Sequence, residues 1–136
     1  MFLRVGLVPE FGSSYLLPRI VGLAKACELV YMPRMMDAQE ALAIGLVNRV
    51  VTADRLMAEA MALANTLADG PTFALRKAKE ALYRNLDADY VEAVARESKL
   101  FAECMSTAEH REGIRAFMER REPDFHRPEV TGKTPD

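Results

Sequence analysis

One carboxylate in this chain stands in a setting suited to proton transfer. Glu10 lies in the stretch Gly6-Leu7-Val8-Pro9-Glu10-Phe11-Gly12-Ser13-Ser14-Tyr15-Leu16-Leu17-Pro18-Arg19, between an apolar run and the expected start of a helix. Pro9 fixes its own φ and biases Val8 toward extended geometry. Gly12 permits a tight or positive-φ step, and Ser13 or Ser14 can cap the helix through a side-chain oxygen. Such a loop is built to hold a side chain, although spacing alone favours a solvated acid near a helix N-terminus, where negative charge is mildly favourable. The other reactive residue types offer less. His110 and His126 have no metal-ligand spacing with Cys27, Cys104 or each other, so surface or capping roles are expected and no metal. Neither cysteine has a base nearby in sequence, which argues against nucleophilic catalysis.

The elements that must position Glu10 read mainly as helices. Phe2 to Val8 begins with apolar residues and reads as a short strand whose partner is not visible in the sequence. Ser14 to Val21 reads as a short helix with Pro18 near its first turn and Gly22 as its stop, and Leu23 to Met32 as a second helix ended by Pro33. Asp37 is the natural N-cap for Ala38 to Ile44, Gly45 stops that helix, and the β-branched run Leu46 to Val51 predicts one short strand. Thr52 should cap a helix with apolar positions at Leu56, Met57, Ala60, Leu63, Ala64 and Leu67, ended by Gly70-Pro71. Phe73 to Arg84 carries Arg76, Lys77, Lys79 and Arg84, a charge run that reads as a solvated face. Asp87 is the expected cap of a helix with a stripe at Val91, Val94, Ser98, Phe101 and Met105, and Ser106 with Glu109 forms a capping-box pattern for the last one. Gly113 sits inside that last helix at a cost of roughly 1 kcal/mol relative to alanine, which suggests a close approach by another backbone. Beyond Arg121, Pro123, Pro128 and Pro135 among polar neighbours predict an unfolded tail.

Composition narrows the function classes. The 136 residues, 50% hydrophobic and 28% charged, suit one ordinary globular domain. A net charge of −2 from 18 basic and 20 acidic residues supplies no global field for nucleic acid. No apolar stretch of about 18 residues could span a membrane. Without a CxxC pair or a leading apolar segment, the expected location is the reducing cytoplasm.

Four blocks, in this order and spacing, resemble the C-terminal half of the enoyl-CoA hydratase/isomerase (crotonase) family. They are Val5-Gly6-Leu7-Val8-Pro9-Glu10-Phe11-Gly12-Ser13-Ser14; Leu17-Pro18-Arg19-Ile20-Val21-Gly22; Asp37-Ala38-Gln39-Glu40-Ala41 running into Gly45-Leu46-Val47-Asn48-Arg49-Val50-Val51; and Glu112-Gly113 with Ala116-Phe117-Met118-Glu119-Arg120-Arg121. The resemblance covers Phe2 to Phe125. Pro33 is a departure, standing where the family usually has a glycine. The resemblance implies a mainly α chain, the helical part of an α/β crotonase fold with at most one or two short strands. Residues 1–122 would form the helical region and 123–136 a flexible tail, with the β-spiral sheet, the CoA cleft and the oxyanion-hole amides in an N-terminal half outside the sequence.

The same resemblance implies the chemistry. Family members aim two backbone N–H groups at an acyl-CoA thioester carbonyl, which makes the neighbouring carbon acidic enough for a carboxylate to deprotonate. Hydratases of the family use two glutamates, and the second of their positions corresponds here to Phe2. Glu10 instead matches the single acid/base of the branch that converts 3-enoyl-CoA to 2-enoyl-CoA, helped by an apolar setting from Val8, Phe11 and Leu16. A 2-enoyl-CoA hydratase is the alternative, and a non-catalytic oligomerisation or interaction fragment a further one. Phe101 and Arg120 match positions near the CoA adenine and phosphates in relatives. By residue type alone, Phe101 also reads as core and Arg120 as a complement to a helix dipole. No separate cofactor is implied, since coenzyme A is part of the substrate. The expected partners are acyl-CoA and further copies of the chain in a trimer or hexamer, with neither nucleic acid nor membrane. With the oxyanion donors upstream, the chain alone is expected to be nearly inert, because losing one such donor typically costs about 10²–10³ in rate.

Overall fold

A computed structural model of the chain describes residues 2–127 and residue 130. Among these, all regular structure is helical and no strand is present. The chain divides into two compact units that meet in sequence at Leu56 and Met57, where length alone suggested one domain.

The first unit starts with a 3-10 helix, Phe2–Val5, in place of the expected strand. A lone extended run has no ladder to join, and here the backbone closes on itself through Gly6 N–H to Leu3 O (3.2 Å) and Leu7 N–H to Phe2 O (3.0 Å). Helices α1 (Ser13–Val21) and α2 (Leu23–Tyr31) pack against each other and are joined by Gly22 alone. Gly22 ends one helix and begins the next at φ 79° and ψ 155°, a conformation that essentially only glycine adopts at low cost. Pro18 is the sixth residue of α1, in its interior and not near its first turn. There a proline removes one intrahelical bond. Arg19 next to it donates to Tyr15 O (3.0 Å) and lies over the Tyr15 ring at 3.5 Å. Helix α3 (Ala38–Ala43) has the expected cap, with Asp37 Oδ1 accepting from Glu40 N–H at 2.8 Å, and Gly45 follows at φ 74°. Leu46 to Val51 forms no strand, and no ladder partner for it is present among the described residues.

The second unit contains α4 (Leu56–Ala68), α5 (Thr72–Arg84), α6 (Tyr90–Met105) and α7 (Ala108–Glu119), with α6 packing on both α5 and α7. Helix α4 starts four residues after Thr52, whose carbonyl instead closes a turn with Arg55 N–H (3.0 Å). The cap of α6 is Asp89, accepting from Glu92 N–H at 2.8 Å, and not Asp87. The cap of α7 is Thr107, accepting from His110 N–H at 3.1 Å, and not Ser106. In both helices another acceptor-bearing residue nearer the helix satisfies the first-turn donors better. Gly113 has nothing within 4 Å of where a Cβ would stand, so no backbone among the described residues makes the predicted close approach.

Burial is sparse. Ala26 in the first unit, and Leu100, Ala116 and Glu112 in the second, are the buried residues among those described. The apolar stripes predicted for α4 and α6 exist as helical faces, but Leu56, Met57, Leu63, Leu67, Val91, Val94, Phe101 and Met105 are all exposed.

Candidate active site

Glu10 occupies the first corner of a tight turn. Its carbonyl accepts from Ser13 N–H at 3.1 Å, and the two residues between, Phe11 (φ 55°) and Gly12 (φ 75°, ψ 8°), both have positive φ. That pairing is the pattern of a type I′ turn, which suits Gly and Asn and strains a bulky side chain such as phenylalanine. A second bond reinforces the closure: Ser13 Oγ donates to the same Glu10 carbonyl at 2.6 Å. The sequence points to Ser13 or Ser14 as the cap of α1, acting as an acceptor. The N-cap is instead Gly12, without a side-chain bond, and the serine hydroxyl serves the turn.

The Glu10 carboxylate is exposed. Of the side chains expected to give it an apolar setting, Val8, Phe11 and Leu16 are all exposed, Phe11 to 87%. So exposed, they do not enclose it. The turn abuts a cleft of about 230 Å³ formed by Pro9, Ser13, Ser14, Leu17 and Pro18 with Ala26, Cys27, Val30 and Tyr31 of α2. Inside it the Cys27 side chain, hydrogen-bonded to Tyr31, holds the phenol above its ordinary pKa. Phe2 lines a neighbouring pocket with Leu3, Pro9, Ser13 and Leu17.

Phe101 and Arg120 belong to the second unit, and Glu10 to the first. Phe101 is 67% exposed and borders an open cleft of about 570 Å³ between α5 and α6, with Ala74, Lys77, Ala78 and Ala81 across from it. It is not a core residue of this chain. Lys77 in that cleft is bound to Glu103 at 2.6 Å, which raises its pKa above the usual lysine value and lowers that of Glu103. Arg120 ends α7 in the left-handed region (φ 55°), its backbone N–H donating to the last turn and its side chain exposed.

Two carboxylates that support this unit were not assigned such roles from sequence. Glu109 reaches from the first turn of α7 to the start of α5, where it accepts from Phe73 N–H (2.9 and 3.1 Å) and Ala74 N–H (3.3 Å). Its partners are 35 or 36 residues away, beyond any local capping pattern. Glu112, 2% exposed, receives Arg121 through two bonds (2.6 and 3.2 Å) and Asp124 N–H at 3.0 Å. Three residues of the predicted tail, Asp124 to His126, are thereby placed beside α7, with His126 Nε2 3.3 Å from Asp69 Oδ1. Pro128 and Pro135 lie outside the described residues. Among the described residues no three potential ligands gather around a metal position. No helix there is long and apolar enough to cross a membrane.

A family model described as enoyl-CoA hydratase/isomerase matches residues 1–128. The chain belongs to the enoyl-CoA hydratase/isomerase family. It is 42% identical over 123 residues to a protein of Mycobacterium bovis named probable enoyl-CoA hydratase, covering 90% of this chain and 48% of that one. With the crotonyl-CoA hydratase of Syntrophomonas wolfei it shares 35% over 121 residues, 89% of this chain and 46% of the relative. A crystal structure of an enoyl-CoA hydratase/isomerase from Cupriavidus metallidurans superposes with a TM-score of 0.86 at 39% identity, over 92% of this chain and 47% of that one. The chain therefore spans about half the length of the relatives it matches, and what it matches is the helical C-terminal part of the crotonase fold. Both the resemblance carried by the four motif blocks and the helical fold class are borne out.

Proposed function

We propose that the full-length parent of this enoyl-CoA hydratase/isomerase chain acts on acyl-CoA thioesters and shifts a 3-enoyl-CoA double bond to the 2-position, with Glu10 as its single acid/base. The observation that carries this reading is the paired occupancy of two positions. An exposed carboxylate stands on the constrained turn at Glu10, and the position where hydratases of the family place a second glutamate holds Phe2. One carboxyl suffices for isomerisation: it takes a proton from C2, the electron pair delocalises toward the thioester oxygen, and the same proton returns at C4 with no water added. Amides of the N-terminal half would hold that oxygen. Coenzyme A would lie against Phe101 and Arg120, no further cofactor takes part, and assembly is as a cytoplasmic homo-oligomer.

The experiment is to assay the full-length protein with 3-enoyl-CoA and with 2-enoyl-CoA, beside Glu10→Gln. Isomerase turnover should fall by about 10²-fold or more in the variant. Unchanged isomerase turnover would remove Glu10 from the chemistry. The runner-up is 2-enoyl-CoA hydration, favoured by the names of the relatives. Strong hydration with weak isomerisation would select it.

A further inference from the structure

The turn after Glu10 is costly as built. Phe11 holds a positive φ that glycine would adopt without strain, and unlike Arg120, the other such non-glycine residue described, it does not end a helix. An 87% exposed ring gains little packing among the described residues to offset that strain. What secures the turn is Ser13, which binds the Glu10 carbonyl twice, through its N–H at 3.1 Å and through its hydroxyl at 2.6 Å. Any residue but proline supplies the first bond. Only a hydroxyl on a short side chain supplies the second.

We propose that Ser13 is a positioning residue for Glu10: its hydroxyl locks the strained turn and so fixes the backbone from which the carboxylate projects. The inference rests on the reading of Glu10 as acid/base. A side chain leaving an unlocked backbone samples more orientations, and a misplacement of about 1 Å can cost up to 10² in rate while leaving binding intact.

The test uses the full-length protein and four forms: parent, Ser13→Ala, Ser13→Thr and Glu10→Gln. Ser13→Ala keeps the N–H bond and removes only the hydroxyl. The expected result is a kcat for isomerisation lowered about tenfold, with KM within twofold and the melting temperature within about 2 °C of the parent, and with Ser13→Thr restoring kcat to within about twofold. Parental kcat in Ser13→Ala would overturn the proposal. So would a loss of activity that tracks a fall in melting temperature, or one that threonine does not rescue, since each marks a role in the fold and not in placing the carboxylate. The Glu10→Gln arm separates the two failures. An inactive Glu10→Gln beside an unaffected Ser13→Ala leaves the acid/base reading standing and removes only Ser13, whereas a fully active Glu10→Gln removes both.

Discussion

Glu112 is the residue whose charge the fold has most firmly committed. The Arg121 guanidinium first, and the Asp124 backbone N–H second, hold its carboxyl down to about 2, while Glu112 first and Glu119 second push the arginine further up. Its pKa is lower folded than unfolded, so the stabilisation is complete above the ordinary glutamate value of about 4.3 and is lost as the pH falls toward 2. Acid unfolding of the chain should therefore steepen between about pH 4.5 and 2. In Glu112→Gln that limb should flatten, and at neutral pH the melting temperature should fall by about 5 °C or more, because the half-buried Arg121 loses its buried carboxylate and keeps only the exposed Glu119. Circular dichroism melts across that pH range measure both effects, and an unchanged acid limb in Glu112→Gln would contradict the assignment. The Glu112-Gly113 pair was legible in the sequence as a family motif, but its partners were not: Arg121 and Asp124 are 9 and 12 residues away, and only the turn that ends α7 brings them back.

At the scale of elements, α5 and α7 are tied end to end by Glu109. A carboxylate at a helix N-terminus satisfies otherwise orphaned N–H donors and complements the dipole, so Glu109→Ala should cost about 1 kcal/mol, read as a shift in the denaturant midpoint of the chain. Gly113→Ala should act in the opposite sense. A Cβ there meets open space, and alanine in a helix interior is worth roughly 1 kcal/mol over glycine. If the same substitution destabilises the full-length protein, the close approach anticipated at Gly113 is made by chain outside these residues. These two positions also mark how far sequence reading reached. The helices from Ser13 to Glu119 were predicted within a few residues, because 3.6-residue apolar spacing and the stops at Gly22, Gly45 and Gly70 are local signals. Caps slipped by one or two residues at α6 and α7, where neighbouring Asp, Ser and Thr compete for the same donors. Both predicted strands failed for a shared reason: strand formation depends on a partner, and a sequence of Val and Leu records the preference without recording whether that partner is present. At the candidate site, the turn residues Pro9 and Gly12 were legible. The hydroxyl that locks the turn was legible only as a capping serine, since an acceptor for a helix and a donor to a turn look alike in sequence.

For the whole molecule, the question is whether the described residues offer coenzyme A anything resembling a formed site, and the cations decide it. Lys77 is committed to Glu103 at 2.6 Å with Glu80 at 3.7 Å, Arg84 lies 3.5 Å from Glu80, and Arg121 is spent on Glu112 and Glu119. Arg76 and Lys79 lie over the Phe73 and Tyr83 rings at 5.7 and 5.8 Å. The net charge is −2. What remains for a phosphate is a scatter of exposed charges, each screened within about 8–10 Å at physiological salt. The apolar clefts, about 570 and 230 Å³, are open and each belongs to a separate unit. The 136-residue chain should accordingly bind acetyl-CoA no tighter than about 1 mM, equivalent to roughly 4 kcal/mol, and more weakly still as salt is added. Isothermal titration calorimetry at low and at physiological salt measures this directly. A micromolar constant that survives added salt would mean that the helical half carries a complete nucleotide site of its own, and Phe101 and Arg120 would then be the first residues to substitute in finding it.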